Sequence, residues 1–219
     1  PLPAPRSPLT VRFWSSNLPI GAGGLDSPDG SRDHCPMIRK LSFAAAILGL
    51  ATLAAPASAE LPQGAVAPDF TTQGALAGKP FTFQLKKALK KGPVVLYFYP
   101  KAFTQGCTLE ANAFAQATPE FAKAGATVVG MSADDLPSLV KFSREACRDK
   151  FAVGIASPAV IKAYDVDLKR EGVSTGLTTR TSYVIARDGR IRMVHSNMDY
   201  RDHVRLTLEA VKALGKGQR

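Results

Sequence analysis

The sequence predicts an α/β fold, a central mixed sheet flanked by helices, in one domain that begins after residue 59. Three observations predict it. Apolar runs at residues 94–99, 126–131 and 151–156 are nearly continuous, as in strands covered on both faces. Helical stretches separate them, giving the order β, α, β, α, β, α. A late Asp188-Gly189, flanked by apolar residues 181–186 and 190–195, signals a tight hairpin and adds antiparallel strands to the sheet.

Ahead of the domain the chain has two parts. Residues 1–36 are rich in Pro, Gly and Ser and lack an apolar period, so they read as a disordered extension foreign to the native product, with Met37 as initiator. Residues 37–59 carry the three parts of a secretory signal peptide: basic Arg39-Lys40, an apolar stretch at 41–55, and Ala57-Ser58-Ala59 before Glu60. The apolar stretch is shorter than the roughly 20 residues of a membrane span. Export, cleavage and a periplasmic location are therefore expected, with no membrane insertion afterwards. The alternative is an N-terminal anchor that stays attached.

Residues 60–219 suffice for one domain with a proper core. Residues 64–70 form an extended lead-in around Pro68. Phe81-Thr82-Phe83 alternates as a short strand, and residues 85–91 read as a brief basic helix. After the strand at 94–99, a helix is expected from Cys107 to about Thr118, broken or kinked at Pro119 and resumed over 120–124, with Gly125 as its C-cap. Residues 132–135 offer N-caps for a helix over 136–149, on which Leu136, Leu139, Val140, Ser143 and Cys147 share a face. A short helix follows Ser157 and Pro158. Residues 165–179 read as a polar loop, and an amphipathic helix over 199–214 closes at Gly215.

Charge and composition narrow the function. From Glu60 to Arg219, 23 Lys and Arg stand against 15 Asp and Glu, a net +8 compared with +10 for the whole chain. The single basic cluster, Lys86 to Lys91, has no interleaved aromatics and no nucleic-acid motif, so it reads as a solvated helix face and no nucleic-acid partner is expected. His195 and His203 lie outside any metal-ligand spacing and read as structural. No metal or organic cofactor is expected. Signal cleavage leaves two cysteines, Cys107 and Cys147, too few for a disulfide scaffold.

Cys107 concentrates the chemistry. A strand ending at Pro100 is followed by a short loop, and the cysteine opens a helix, where unpaired N–H groups and the positive end of the macrodipole favour a thiolate. The segment Pro100-x-x-x-Thr104-x-x-Cys107, with Glu110 three residues on, resembles the active-site signature of the peroxiredoxins. Gly106-Cys107-Thr108-Leu109-Glu110-Ala111 is similar to their Q group, the bacterioferritin comigratory proteins. Ala67-Pro68-Asp69-Phe70, and Arg180 entering a late strand, fit the same family.

The resemblance implies a thioredoxin-like fold, a monomer, and reduction of hydrogen peroxide and organic hydroperoxides through a sulfenic acid on Cys107. It assigns peroxide binding to Thr104 and Arg180, shielding to Pro100, and orientation of Arg180 to Glu110. Thr104 also fits an ordinary N-cap and Glu110 a first-turn helix acid. Many members of the group resolve the sulfenate with a cysteine five residues after the first, where this chain has Asn112. Others use a cysteine in the next long helix, at the position of Ser143. Cys147, one turn later, is the candidate resolving residue here, and a thioredoxin-like protein or a small thiol is the expected reductant. Two rival readings are a thioredoxin-class thiol–disulfide oxidoreductase, disfavoured by the lack of Cys-x-x-Cys, and a non-catalytic thioredoxin-fold binding module.

Overall fold

A computed structural model describes residues 60–216. The expected extension at 1–36 and signal peptide at 37–59 lie outside the described residues. Within the described part the elements are β1 (Thr71–Leu76), β2 (Lys79–Gln84), α1 (Leu85–Leu89), β3 (Val94–Phe98), α2 (Gln105–Lys123), β4 (Thr127–Ser132), α3 (Leu136–Glu145), β5 (Ala152–Ile155), α4 (Pro158–Ala163), β6 (Asp167–Arg170), β7 (Val173–Thr178), β8 (Thr181–Ile185), β9 (Ile191–Ser196) and α5 (His203–Lys216).

Seven strands form one sheet in the order β2-β1-β5-β4-β3-β8-β9. The three apolar runs, β3, β4 and β5, are parallel, and the β1–β2 and β8–β9 hairpins add antiparallel strands on either side. Alternation sends successive side chains to opposite faces. Val95, Tyr97, Val128 and Val153 pack with Phe114 of α2, Phe142 of α3 and Val211 of α5. Val94, Leu96, Phe98 and Val129 pack with Leu85 and Leu89 of α1 and Val160 and Ile161 of α4. The sheet is thus the middle of three layers, which explains why its central strands are apolar throughout. On α1, Lys86 and Lys87 point to solvent while the two leucines point in.

Several expectations need correction. Residues 71–76, which the sequence leaves unassigned, form a strand, joined to β2 through Ala77 and Gly78, both at positive φ. The stretch 165–179 holds the two-stranded hairpin β6–β7, turning at Glu171-Gly172, again both at positive φ, the conformation that two-residue hairpins require. Helix α2 begins at Gln105, two residues early, and continues through Pro119. It ends as expected at Gly125, with Ala126 N–H bonded to the Phe121 carbonyl. Helix α3 stops at Glu145, so Cys147 lies in the turn beyond it. Helix α5 is preceded by a single turn of 3₁₀ helix at Tyr200–Asp202 and continues past Gly215 to Lys216.

Candidate active site

The register of the sheet assembles the site. Phe98 pairs with Thr181, which carries Arg180 to the end of β3 beside the loop that leads into α2. Thr181 in turn pairs with Ser196, and Asn197 N–H bonds to the Arg180 carbonyl, so the segment after β9 closes the other side. Residues distant in sequence therefore meet at one end of the central strands.

The loop from Pro100 to Thr104 is held at three points. The buried Thr178 hydroxyl donates to the Tyr99 carbonyl at 2.7 Å. Asp134 accepts from Ala102 N–H and from the Ser132 hydroxyl, each at 2.8 Å. Phe103 adopts a φ of 64°, rare for a bulky side chain, with its ring edge-on to Phe142. Pro100 is half-buried where this loop leaves the sheet. Thr104 is the backbone N-cap of α2, but its hydroxyl caps nothing. It donates to the Lys101 carbonyl at 3.0 Å, which leaves the oxygen's lone pairs available to accept. The first backbone bond of the helix runs from Thr108 N–H to the Thr104 carbonyl, so the N–H groups of Gln105, Gly106 and Cys107 face the open end.

Cys107 is 2% exposed and its sulfur accepts a hydrogen bond from Arg180 Nη2 at 3.5 Å. Arg180 is itself buried. Its Nη1 pairs with Glu110 Oε2 and its Nε donates to the Met198 carbonyl at 2.9 Å. Gly106 lets the guanidinium pass, since a Cβ there would meet Nη2 at 3.2 Å. Burial works against the charge on Arg180, but Glu110 and Cys107 outweigh it and hold its pKa above the ordinary value. Glu110, in the second turn of α2, is fully buried rather than a first-turn surface acid. Burial raises its carboxyl to about 8, although Arg180 pulls the other way.

The structure thus brings together Cys107, Thr104, Glu110, Arg180 and the Pro100 loop. Cys147 is completely buried in the same apolar cluster as Cys107, with Tyr97, Tyr99, Phe142 and Phe151, but takes no part in the hydrogen bonds of Arg180, and both thiols are free. Burial, with a smaller contribution from Asp149, pushes the Cys147 thiol far above its usual range. Asp134 and Thr178, which hold the loop, and His203, which lies 3.7 Å from Glu110 Oε1 with Ser182 Oγ 2.8 Å from its Nδ1, also border the site and were not read from the sequence as site residues. The one sequence signal was a second, adjacent acid at Asp134-Asp135, more than one N-cap needs; in the structure Asp135 caps α3, accepting from Ser138 N–H. Among the described residues no group of three or more His, Cys, Asp or Glu comes together as a metal site.

A sheet of this topology with a cysteine at the start of a helix, its sulfur held by a buried arginine, defines a thioredoxin-like thiol enzyme. Comparison with known proteins narrows the class. Residues 63–194 match the AhpC/TSA family. A chloroplastic peroxiredoxin Q of Triticum aestivum is 33% identical over 208 residues, 94% of this chain and 88% of that one. The solved structure of peroxidoxin BcpB from Mycobacterium tuberculosis is 30% identical, with a TM-score of 0.63 over 70% of this chain and 98% of that one. The alkyl-peroxide-reducing bacterioferritin comigratory protein of Xanthomonas campestris is 28% identical, with a TM-score of 0.57 over 65% of this chain and 91% of that one. The chain belongs to the AhpC/TSA family, the peroxiredoxins, and within it to the Q group. It is a thiol-dependent peroxidase, acting on a peroxide with electrons from a thiol reductant.

Proposed function

We propose that Cys107 is the peroxide-attacking residue and that Arg180 is the group that makes it so. The observation that carries this reading is the single guanidinium bonded to both the Cys107 sulfur and Glu110. A negative charge on sulfur is stabilised by that cation and by the N–H groups at the start of α2. The thiolate attacks the terminal oxygen of a hydroperoxide. The O–O bond breaks, an S–O bond forms, and Cys107 becomes a sulfenic acid that keeps the hydroperoxide hydrogen. The other oxygen leaves as alkoxide or hydroxide and takes a proton from solvent. Thr104 Oγ1 accepts from the incoming hydroperoxide while Arg180 and the helix N–H groups bear the developing charge. Glu110 orients Arg180, and Pro100 shields the sulfenate. Phe103 and Met198, 46% and 54% exposed beside Thr104 and Arg180, favour organic hydroperoxides alongside hydrogen peroxide.

In this reading Cys147 resolves the sulfenic acid, giving a disulfide and one water, and a dithiol then restores both cysteines. Cys147 must leave its cluster to do so. The turn that carries it supports such an opening, since Arg148 and Asp149 are consecutive non-glycine residues at φ 52° and 60°, a strained arrangement. Mass spectrometry after one equivalent of peroxide tests the step. A Cys107–Cys147 disulfide is expected, whereas a persistent sulfenic acid on Cys107 identifies a one-cysteine enzyme. Export to the periplasm and a monomeric state belong to the same proposal. The secreted protein should begin at Glu60 on N-terminal sequencing and elute as a monomer on calibrated gel filtration.

A further inference from the structure

The sheet is incomplete at the end opposite Cys107. Strands β3, β4 and β5 are parallel, so all three point their C-terminal ends at the active site and their first residues away from it. Strand β5 begins at Ala152, which pairs with Val129, so Thr127 and Val128 of β4 run on past it. On its other side β5 pairs with β1 only at Gly74 and Ala75. A cleft of about 480 Å³ opens in the notch, with β2 and α1 on one side and the starts of β4 and β5 on the other. That volume is in the range of small-molecule sites, and peroxide reduction at Cys107 makes no use of it.

The surface of the cleft is of two kinds. Ala126, Val128 and Phe151 are buried and give it an apolar base, which Leu76, 41% exposed, and half-buried Phe81 continue outward. This leaves contiguous apolar area in water that an occupant would cover. Lys87, Lys91 and Lys150 border the same cleft, and no Asp or Glu does. Lys87 and Lys91 come from the basic cluster of α1, about one turn apart, and Lys150 from the turn before β5. Among the described residues Lys212 is the one lysine with an ion pair, so these three have no counter-charge from the protein. Lysine stems lie along apolar surface while their ammonium groups reach water, which gathers positive charge at the mouth of an apolar cleft.

We propose that this cleft binds an amphiphilic carboxylate, a free fatty acid of medium length. The chain lies on the apolar base and the carboxylate meets the three ammonium groups. Neither half of such a ligand suffices alone. A bare anion such as phosphate leaves the apolar base in water, and a neutral chain leaves the lysines without a partner. The site is independent of the role assigned to Cys107, from which the length of the central strands separates it.

Isothermal titration calorimetry of sodium dodecanoate, kept below its micelle concentration, into the full chain tests the proposal. One saturable site is expected, with a dissociation constant on the order of 10–100 µM. Octanoate should bind at least about tenfold more weakly, because the shorter chain buries fewer methylenes. Inorganic phosphate should show no saturation at the same concentrations. Lys87→Gln, Lys91→Gln and Lys150→Gln combined should weaken dodecanoate binding by about tenfold. Leu76→Asp, which sets a carboxylate against the chain, should abolish it. The three lysines are exposed, so the combined variant decides even if Leu76→Asp does not fold. Phe103→Asp, at the exposed ring beside the Cys107 loop, should leave binding unchanged. Absence of saturation, or equal affinity in the combined lysine variant, would overturn the proposal. So would loss of binding in Phe103→Asp, which moves the chain to the peroxide site. Co-sedimentation with phosphatidylglycerol vesicles, without saturable dodecanoate binding, would mark a membrane-facing surface instead and equally overturn it.

Discussion

Cys107 and Cys147 are equally hidden from solvent, at 2% and 0% exposure, and belong to one apolar cluster, yet their surroundings give them opposite chemistry. Cys107 opens a helix, lies beside three N–H groups without helical partners, and accepts from Arg180. Cys147 follows the end of a helix, where the backbone presents carbonyls, and its own N–H is already bonded to the Phe142 carbonyl. Burial there acts unopposed and keeps the thiol protonated. Depth does not decide the reactivity of a cysteine in this molecule. What decides it is which end of a helix the sulfur faces and whether a buried cation accompanies it.

Removing each sulfur breaks the comparison most directly. Cys107→Ser should lower peroxide consumption by at least about 10³-fold, whereas Cys147→Ser should leave the first turnover intact and accumulate sulfenic acid on Cys107. Stopped-flow measurement of one turnover, followed by mass spectrometry, separates the two. Arg180→Met should turn the surroundings of Cys107 toward those of Cys147, costing about 10²–10³-fold in rate by the same assay. Asp134→Ala releases Ala102 N–H and loosens the loop that aims α2. A rate loss of about tenfold, with about 1–2 kcal/mol of stability lost in urea denaturation, is expected.

A pH prediction concerns the same side of the molecule. Glu110 is raised above its unfolded value, so its favourable contribution is present at low pH and is lost as pH rises toward about 8. His203 is lowered, so its contribution has the opposite sign, rising between about 4 and 6.5. The two oppose each other below pH 6.5. Between pH 6.5 and 8 only Glu110 acts, and stability should fall by on the order of 1–2 kcal/mol, a slope that Glu110→Gln flattens in thermal melts. The smallest expected effect is at Gly106→Ala, where a Cβ 3.2 Å from Arg180 Nη2 should displace the guanidinium slightly and slow the reaction a few-fold.

What the sequence made legible follows a physical division. Strands β3, β4 and β5 were readable because both their faces are buried, so their apolar runs are unbroken. Strand β1, Thr-Thr-Gln-Gly-Ala-Leu, and the hairpin β6–β7 were not, because they are largely polar and mostly exposed, and pairing rather than side-chain burial makes them strands. The helical periodicity carried Cys147 onto α3, whereas Arg148 and Asp149 turn the chain away at positive φ, for which neither residue is a strong signal. In the site, Pro100, Thr104, Cys107 and Glu110 lie within eleven residues, and their spacing betrays them. Asp134, Thr178 and His203 gain their roles only from the approach of distant strands, with His203 reaching Glu110 from 93 residues away, a separation no local pattern records.

The outer strands of the sheet bear on what happens after the reaction. If Cys147 leaves its cluster, part of the α3 layer that covers β1 and β5 lifts with it, and the molecule is briefly sticky. Strand β9 is covered at its start by Gly64 to Ala67, which bond to Gly189 and Ile191. At the opposite border, β2 begins Lys79-Pro80, a charged residue and one without an N–H, both poor partners for a stray strand. In that case the borders of the sheet would discourage opened molecules from joining into aggregates.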